Sequence, residues 1–539
     1  MVNPTAVAAL LAQPATCPTR SNKSVPAYPR QKGYAGSLRF IVVTFLATLL
    51  WGTQPSHAAT PLKAAVAKVD ITDHQAGPVH DPSHARILLL EQDGQRSVII
   101  SIDAVAVAEL GRLANGFMDK LRARLKTESA VDPQNLIVNA SHCHSIVRPD
   151  SADLIADATA SAAQRLTPVL ARSMTTENPR ISENRRLLLA DRTESDMRRA
   201  YPTAPSADLA ETGPIDPTIG ILSLSRTDGS PLAVVYHFAC HPIMNPPSFG
   251  NSADISGIAS HAIEETLGHG AVALFIQGCG GDINPRGYKD PSHPADAQPL
   301  ANELALSVLT ALSKGPPPAS AQLKTQNRII DIPRGRDFAD RIRAVEEEQM
   351  RLLRGLKSTP LEFDAFVPMW IQDHLQPSHP SAHQQSYLHD RSIRSTDRST
   401  HDADRRTAMQ SYRSNLTTLE QLIRLNANLA LLKKHEAAAK RSAMAPLKGE
   451  LCGLKLGDFR LVTFPGELTV EVGLGIKRLF PDRNVFVAGY TNGYLYYLPT
   501  AQQRANKGFA QEDCDCDVAP EWQSVFEKHA SDVIRNLDK

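Results

Sequence analysis

The stretch NLIVNASHCHS (residues 135–145) runs from an apolar segment straight into two histidines, His142 and His144, on either side of Cys143. A short apolar run bounded by polar residues reads as a buried strand. The same pattern recurs four times. LAVVYHFA ends in Cys240-His241-Pro242, AVALFI in Gln277-Gly278-Cys279-Gly280-Gly281-Asp282, and FRLVTF in Pro465-Gly466-Glu467. NVFVAGY ends in TNGYLYY, which holds Tyr494, Tyr496 and Tyr497. In open α/β sheets, ligands bind outside the carboxyl ends of strands. Five strands that bring His, His, Asp, Glu and Tyr to one edge predict a metal-assisted hydrolytic site.

Outward from these runs the chain reads as α/β. Residues 64–105 give two or three strands, with a hairpin turn at EQDGQ. Residues 107–126 carry apolar residues at helical spacing, with basic residues towards the end. The alternation continues to about residue 313, which predicts a mixed β-sheet core flanked by helices. GPPP (315–318) breaks it. Residues 334–354 and 416–441 are helical in period, and 376–405 read as a mobile polar loop. His374, His379, His383, His389 and His401 fall in or beside that loop without regular spacing, so a solvated segment outweighs a metal tract. We read 326–448 as a helical, partly disordered insertion, after which the strand pattern resumes at Leu451.

Composition narrows the partners. The 539 residues are 42% apolar and 21% charged, with a net charge of +1. That is globular composition, and it argues against nucleic acid as a partner. Arg30, Lys32 and Arg39 precede the apolar run FIVVTFLATLLWG, and QPSHAAT follows with a cleavage pattern near Ala58 or Ala59. The run is short for a membrane span. Residues 1–59 are therefore expected to be a leader, with the mature protein exported to a periplasm or secreted and free of a transmembrane span. Cys17 would leave with the leader. Cys143, Cys240, Cys279, Cys452, Cys514 and Cys516 remain, and an oxidising compartment permits them to pair. Cys514 and Cys516 could clip the tail, though not readily to each other.

Each site residue has an ordinary reading beside the functional one. In an extended segment His142 and His144 share a face and Cys143 points to the core. Such a pair is either a ligand set or a hydrogen-bonded structural pair. His241 before a proline is either a ligand or a satisfied core histidine. Glu467 could be a turn carboxylate, and the tyrosine group could be packing. The loop at 277–282 lacks the Lys-Ser/Thr of a phosphate-binding loop, so its glycines read as a tight turn near a ligand.

Together HCHS, FACHP, FIQGCGGDINP, FPGE and AGYTNGYLYYLPT, in this order, resemble the motifs of the neutral/alkaline (non-lysosomal) ceramidase family. The resemblance covers about residues 62–535, and it implies one catalytic domain over 60–539. It further implies one zinc ion per chain on His142, His241, Glu467 and Tyr497, and cleavage of an N-acyl amide by a zinc-activated water. His144 would lie beside the metal and could shuttle protons. Arg185, in the pair Asn184-Arg185, would meet the polar head of a small-molecule or lipid substrate. Gln277, Gly278 and Cys279 would form the substrate loop. Asp282 would either orient a histidine or cap the Gly-Gly-Asp turn.

Two departures are visible. The family's essential serine falls at Gly278, followed by Cys279, which is either a nucleophile or a packed cysteine. No C-terminal immunoglobulin-like domain is expected. The sequence therefore supports a zinc-dependent amidohydrolase, with two alternatives: a non-catalytic binding homologue that lost the serine, or an esterase-type metallohydrolase.

Overall fold

The computed structural model describes residues 60–196, 209–245, 250–288, 295–376, 385–394 and 398–539. The expected leader, with Cys17, lies outside them, as do His379 and His383.

The larger sheet has eight strands: β1 (Lys63–Asp70), β2 (His84–Gln92), β3 (Gln95–Ile102), β4 (Leu136–Ala140), β5 (Thr167–Glu177), β6 (Thr218–Arg226), β7 (Pro231–Phe238) and β8 (Val272–Gln277). Their spatial order is β8-β7-β6-β5-β1-β2-β3-β4. The β3–β4 and β7–β8 pairs are parallel and the rest antiparallel. The expected hairpin closes at Gln92–Gln95. Asp93 and Gly94 take φ of 52° and 77°, the left-handed pair that a two-residue turn requires. A second sheet follows in the order β9 (Leu323–Ile332), β10 (Leu447–Leu456), β11 (Phe459–Thr463), β12 (Val485–Ala488), with β11 and β12 parallel.

Side-chain alternation builds the layers. Ile87 and Leu89 face α1 (Phe117–Ser129) and α2 (Ser151–Ala163), while Leu88 and Leu90 face Leu454, Phe459 and Phe486 of the second sheet. Val234, Tyr236 and Phe238 likewise face α3 (Asp254–Leu267) and α4 (Gln298–Lys314). The far side of the second sheet is covered by α9 (Val470–Leu479) and α10 (Trp522–Leu537), with Trp522, Phe526 and Ile534 buried. The result is helices, sheet, sheet, helices.

The larger sheet also curls. Strand β8, at one end of the order, touches β2, β3 and β4 at the other. Ser101 Oγ on β3 donates to Phe275 O on β8 at 2.6 Å. Asn139 on β4 completes the junction. Its Oδ1 accepts Gln277 N–H at 2.7 Å, and its Nδ2 donates to Gly489 O at 2.8 Å and to Thr491 Oγ1 at 2.9 Å. One buried amide thus ties together the carboxyl ends of β4, β8 and β12.

Four sequence expectations change. The first helix begins at Phe117, not near 107, because Glu109 (φ 61°) and Gly111 (φ 78°) turn the chain left-handed. Residues 326–332, read as the start of the insertion, belong to β9, and Ile332 pairs with Leu447. The helices between these strands are α5 (Phe338–Arg354), α6 (Phe363–Leu375), α7 (Gln385–Ser392) and α8 (Arg398–Arg441). The described residues of the expected loop 376–405 are largely α7 and the start of α8, since no proline or glycine interrupts 398–441. Finally, no disulfide links any of the six described cysteines, and all six are buried. Cys514 packs in the core beneath α5 and α8, and Cys516 in the core beneath α10, so the expected clip is absent. No helix among the described residues is long and apolar enough to cross a membrane.

Candidate metal centre

β4 delivers His142. The chain does not stay extended: His142 has φ 67° while its N–H donates to Ala104 O at 3.0 Å. A left-handed non-glycine residue costs roughly 1 kcal/mol or more. That turn buries His142 deeper than His144, although both histidines still reach one cavity. His142 is 2% exposed, and His144 is exposed at the mouth of the same cavity, with its ring centroid 5.4 Å away. Cys143 is fully buried, as the sequence implied. Neither serine is a nucleophile candidate: Ser145 Oγ is engaged by Ser83 Oγ and by Asn251 Oδ1, and Ser141 Oγ accepts Cys143 N–H.

β7 delivers His241, and the turn after β11 delivers Glu467. His142 Nδ1–H donates to Val105 O at 2.7 Å, and His241 Nδ1–H to Ile283 O at 3.2 Å. Each backbone carbonyl fixes the tautomer and leaves an Nε2 lone pair facing inward. Both lone pairs meet the same atom: Glu467 Oε2 lies 3.1 Å from His241 Nε2 and 3.5 Å from His142 Nε2. Burial is the larger influence on His142 and pushes its imidazole down to about 4, so it is neutral at physiological pH. Burial also pushes the Glu467 carboxyl up, but His142, His241 and Tyr494 outweigh it and hold it well below the carboxylate range. Two lone pairs and a carboxylate oxygen facing one another form a donor set for a cation. The three ligand atoms lie within 4.8 Å of one another, the only such cluster among the described residues. Residues of this kind fit a zinc ion.

Two further tyrosines hold the glutamate. Tyr494 Oη donates to Glu467 Oε1, and Tyr490 Oη to Oε2 at 3.3 Å. Burial pushes both phenols up, so they remain donors. Tyr497, the expected fourth ligand, lines the same cavity; its backbone pairs with Glu467, and its hydroxyl accepts Arg185 Nη2 at 3.3 Å. Arg185 also lines the cavity, although Glu512, Gly281 O and Asn284 take its other donors.

The cavity is about 260 Å³. Val105, Leu110 and Ile243 give it an apolar side; Tyr288, Gln511 and Asp515 stand with Arg185 and His144 on the polar side. Of these, the sequence reading singles out only Arg185 and His144. It puts Val105 at the end of a strand and Leu110 inside a helix, and it gives Ile243, Tyr288, Gln511 and Asp515 no role.

The loop at 277–282 does not line the cavity. Gln277 is fully buried, and its side-chain amide has no hydrogen-bond partner among the described residues. Cys279 Sγ points at Val487 O (3.5 Å), and burial pushes its thiol well above the usual range, which removes it as a nucleophile. Asp282 is fully buried. Its Oδ1 accepts Val470 N–H at 2.8 Å, at the first residue of α9, and burial raises its carboxyl to about 6. It caps the helix that follows Glu467 and touches neither histidine. Backbone carbonyls, not Asp282, orient the imidazoles.

Gly278 stands where the resemblance expects a serine. A Cβ there would lie 2.9 Å from His237 Nε2 and 3.1 Å from Ala239 Cβ. His237 is itself pinned by Val487 O at 2.9 Å. Gly278→Ser is therefore expected to destabilise the protein by about 1–3 kcal/mol through overpacking, and to add no activity. Thermal unfolding and turnover of the variant check this; a more active variant of unchanged melting temperature would contradict it.

No family model matches the sequence, and no curated protein matches it. Solved structures do. The neutral ceramidase from Pseudomonas aeruginosa aligns with a TM-score of 0.55 over 88% of this chain and 74% of that one, at 18% identity. A ceramidase complexed with C2 aligns with a TM-score of 0.55 over 88% and 75%, at 16% identity. At these identities the likeness is one of architecture, and the architecture of this chain is ceramidase-like.

Proposed function

We propose that the protein is a zinc-dependent hydrolase that cleaves an N-acyl amide bond. The convergence of His142 Nε2, His241 Nε2 and Glu467 Oε2 carries the reading. His142, His241 and Glu467 would hold the ion, one per chain, with Tyr497 as a fourth ligand from the cavity wall. Zinc bound in such a site activates water near neutral pH and polarises a carbonyl. The chain supplies the rest. Val105, Leu110 and Ile243 exclude bulk water and receive the apolar part of an acyl group. His144, exposed at the mouth, takes a proton and returns it to the leaving amine. Arg185 and Tyr497 face the polar head of the substrate. The ceramidase-like architecture supports a small lipid or other N-acylated amine as substrate. Export of the mature chain, with residues 1–59 as leader, belongs to the same reading.

The absence of a side chain at Gly278 favours a second reading, a binding protein that no longer turns over. Hydrolysis of N-acylated amines and sphingolipids, with and without chelator, separates them. Turnover abolished by chelation and restored by zinc is expected. Turnover indifferent to chelation would refute the metal reading, and none on any N-acyl substrate would leave the binding protein.

A further inference from the structure

Glu467 turns its two oxygens to different partners. Oε2 lies inside the ligand cluster, 3.1 Å from His241 Nε2 and 3.5 Å from His142 Nε2. Oε1 lies outside it and accepts the Tyr494 hydroxyl. Tyr494 is not a loosely placed side chain. It is 4% exposed and packs against the Tyr496 ring at 5.2 Å. It follows Asn492, whose side chain is bound to β4: Oδ1 accepts Val138 N–H at 2.7 Å, and Nδ2 donates to Leu136 O at 2.8 Å. The strand that delivers His142 therefore also fixes the segment that holds Glu467.

We propose that Tyr494 is a positioning residue whose hydroxyl occupies Glu467 Oε1, so that the carboxylate offers a cation one oxygen and not two. The inference rests on the metal reading of this site. A catalytic zinc keeps a position open and expands to five ligands only as the reaction proceeds. With two imidazoles and Tyr497, a Glu467 bound through both oxygens would already fill five positions. Tyr494 prevents that and keeps room for the reacting group. Tyr490, on the Oε2 side at 3.3 Å, does not serve this purpose.

Cobalt(II) titrated into the metal-free full chain is the probe, because its visible absorption is strong at low coordination number and weak at high. In Tyr494→Phe the released Oε1 is expected to join the ion. The visible bands should lose intensity, and ion affinity should fall by about 10- to 100-fold, as when a group that orients a ligand is removed. Tyr496→Phe, whose hydroxyl bonds Glu109 instead, should leave the bands unchanged. Unchanged bands and affinity in Tyr494→Phe would overturn the proposal and leave the metal reading standing. A wild-type chain that binds no cobalt would overturn both. If Tyr494→Phe does not fold, the wild type still decides the matter. Infrared difference spectra with ¹³C-labelled glutamate should show the wide carboxylate splitting of one-oxygen coordination, and the narrow splitting of two-oxygen coordination would refute it.

Discussion

Replacing His142 and His241 together by alanine should reduce bound zinc from about one per chain to a trace. Removing a group that merely orients a ligand weakens metal binding by about 10- to 100-fold, so removing a ligand itself should exceed that. Each imidazole donates its Nδ1–H to a carbonyl and turns Nε2 to the cluster, so the double variant loses both nitrogen donors and keeps only the Glu467 carboxylate. A coupled readout follows from mass action. An ion held at about 100 times its dissociation constant stabilises the folded chain by about 2.7 kcal/mol. Chelator should therefore lower the melting temperature of the wild type and leave that of the double variant unmoved. Full zinc stoichiometry in the double variant, measured by elemental analysis, would end the assignment.

The second large effect is expected far from any ligand atom. Asn139→Leu removes the amide that joins three strand ends and leaves Gln277 N–H buried without a partner, while Gly489 C=O keeps the Thr491 hydroxyl. One such group predicts a loss of about 1–3 kcal/mol. Because β4, β8 and β12 lead into the histidine, glycine and tyrosine segments, metal affinity should fall with stability. Urea unfolding of the metal-free protein isolates the first effect and zinc competition the second. An unchanged unfolding midpoint would show that Asn139 bears no such weight.

The strands were legible because burial on both faces writes itself as an unbroken apolar run, and the polar residues at five run ends marked one edge as the place of a site. His142, His241 and Glu467 stood among them, and the ceramidase resemblance is what singled them out as the expected ligands. The direction of His142 depends on a single backbone torsion, a φ of 67° that cannot be inferred from SHCHS, yet His142 and His144 still line one cavity, as their spacing implied. At Asp282 the sequence left two readings open, a group that orients a histidine or a cap of the Gly-Gly-Asp turn. Only the position of Val470 N–H makes this carboxylate a helix cap. Tyr490 and Tyr494 were hidden among tyrosines that would look the same as packing. Residues 398–415 looked unstructured because their composition lacks an apolar stripe, yet no proline or glycine interrupts them. Asp515 and Gln511 reach the cavity only through tertiary folding of the tail.

The pairing of Ile332 with Leu447 has a topological meaning. Strands β9 and β10 form an antiparallel hairpin, and α5 to α8 together are its connecting loop. Loop-closure entropy grows only with the logarithm of length, about 0.6 kcal/mol per doubling, so so long a connection adds little to the cost of the hairpin it joins. Its far end nevertheless returns to the cavity wall. His435 Nε2 bonds Asp515 Oδ1 at 2.6 Å, and Lys434 Nζ meets the same carboxylate at 3.1 Å. The helical arm is a graft onto the scaffold in chain topology and a support behind the cavity wall in space, so its sequence can change the hold on Asp515 while the two sheets stay as they are.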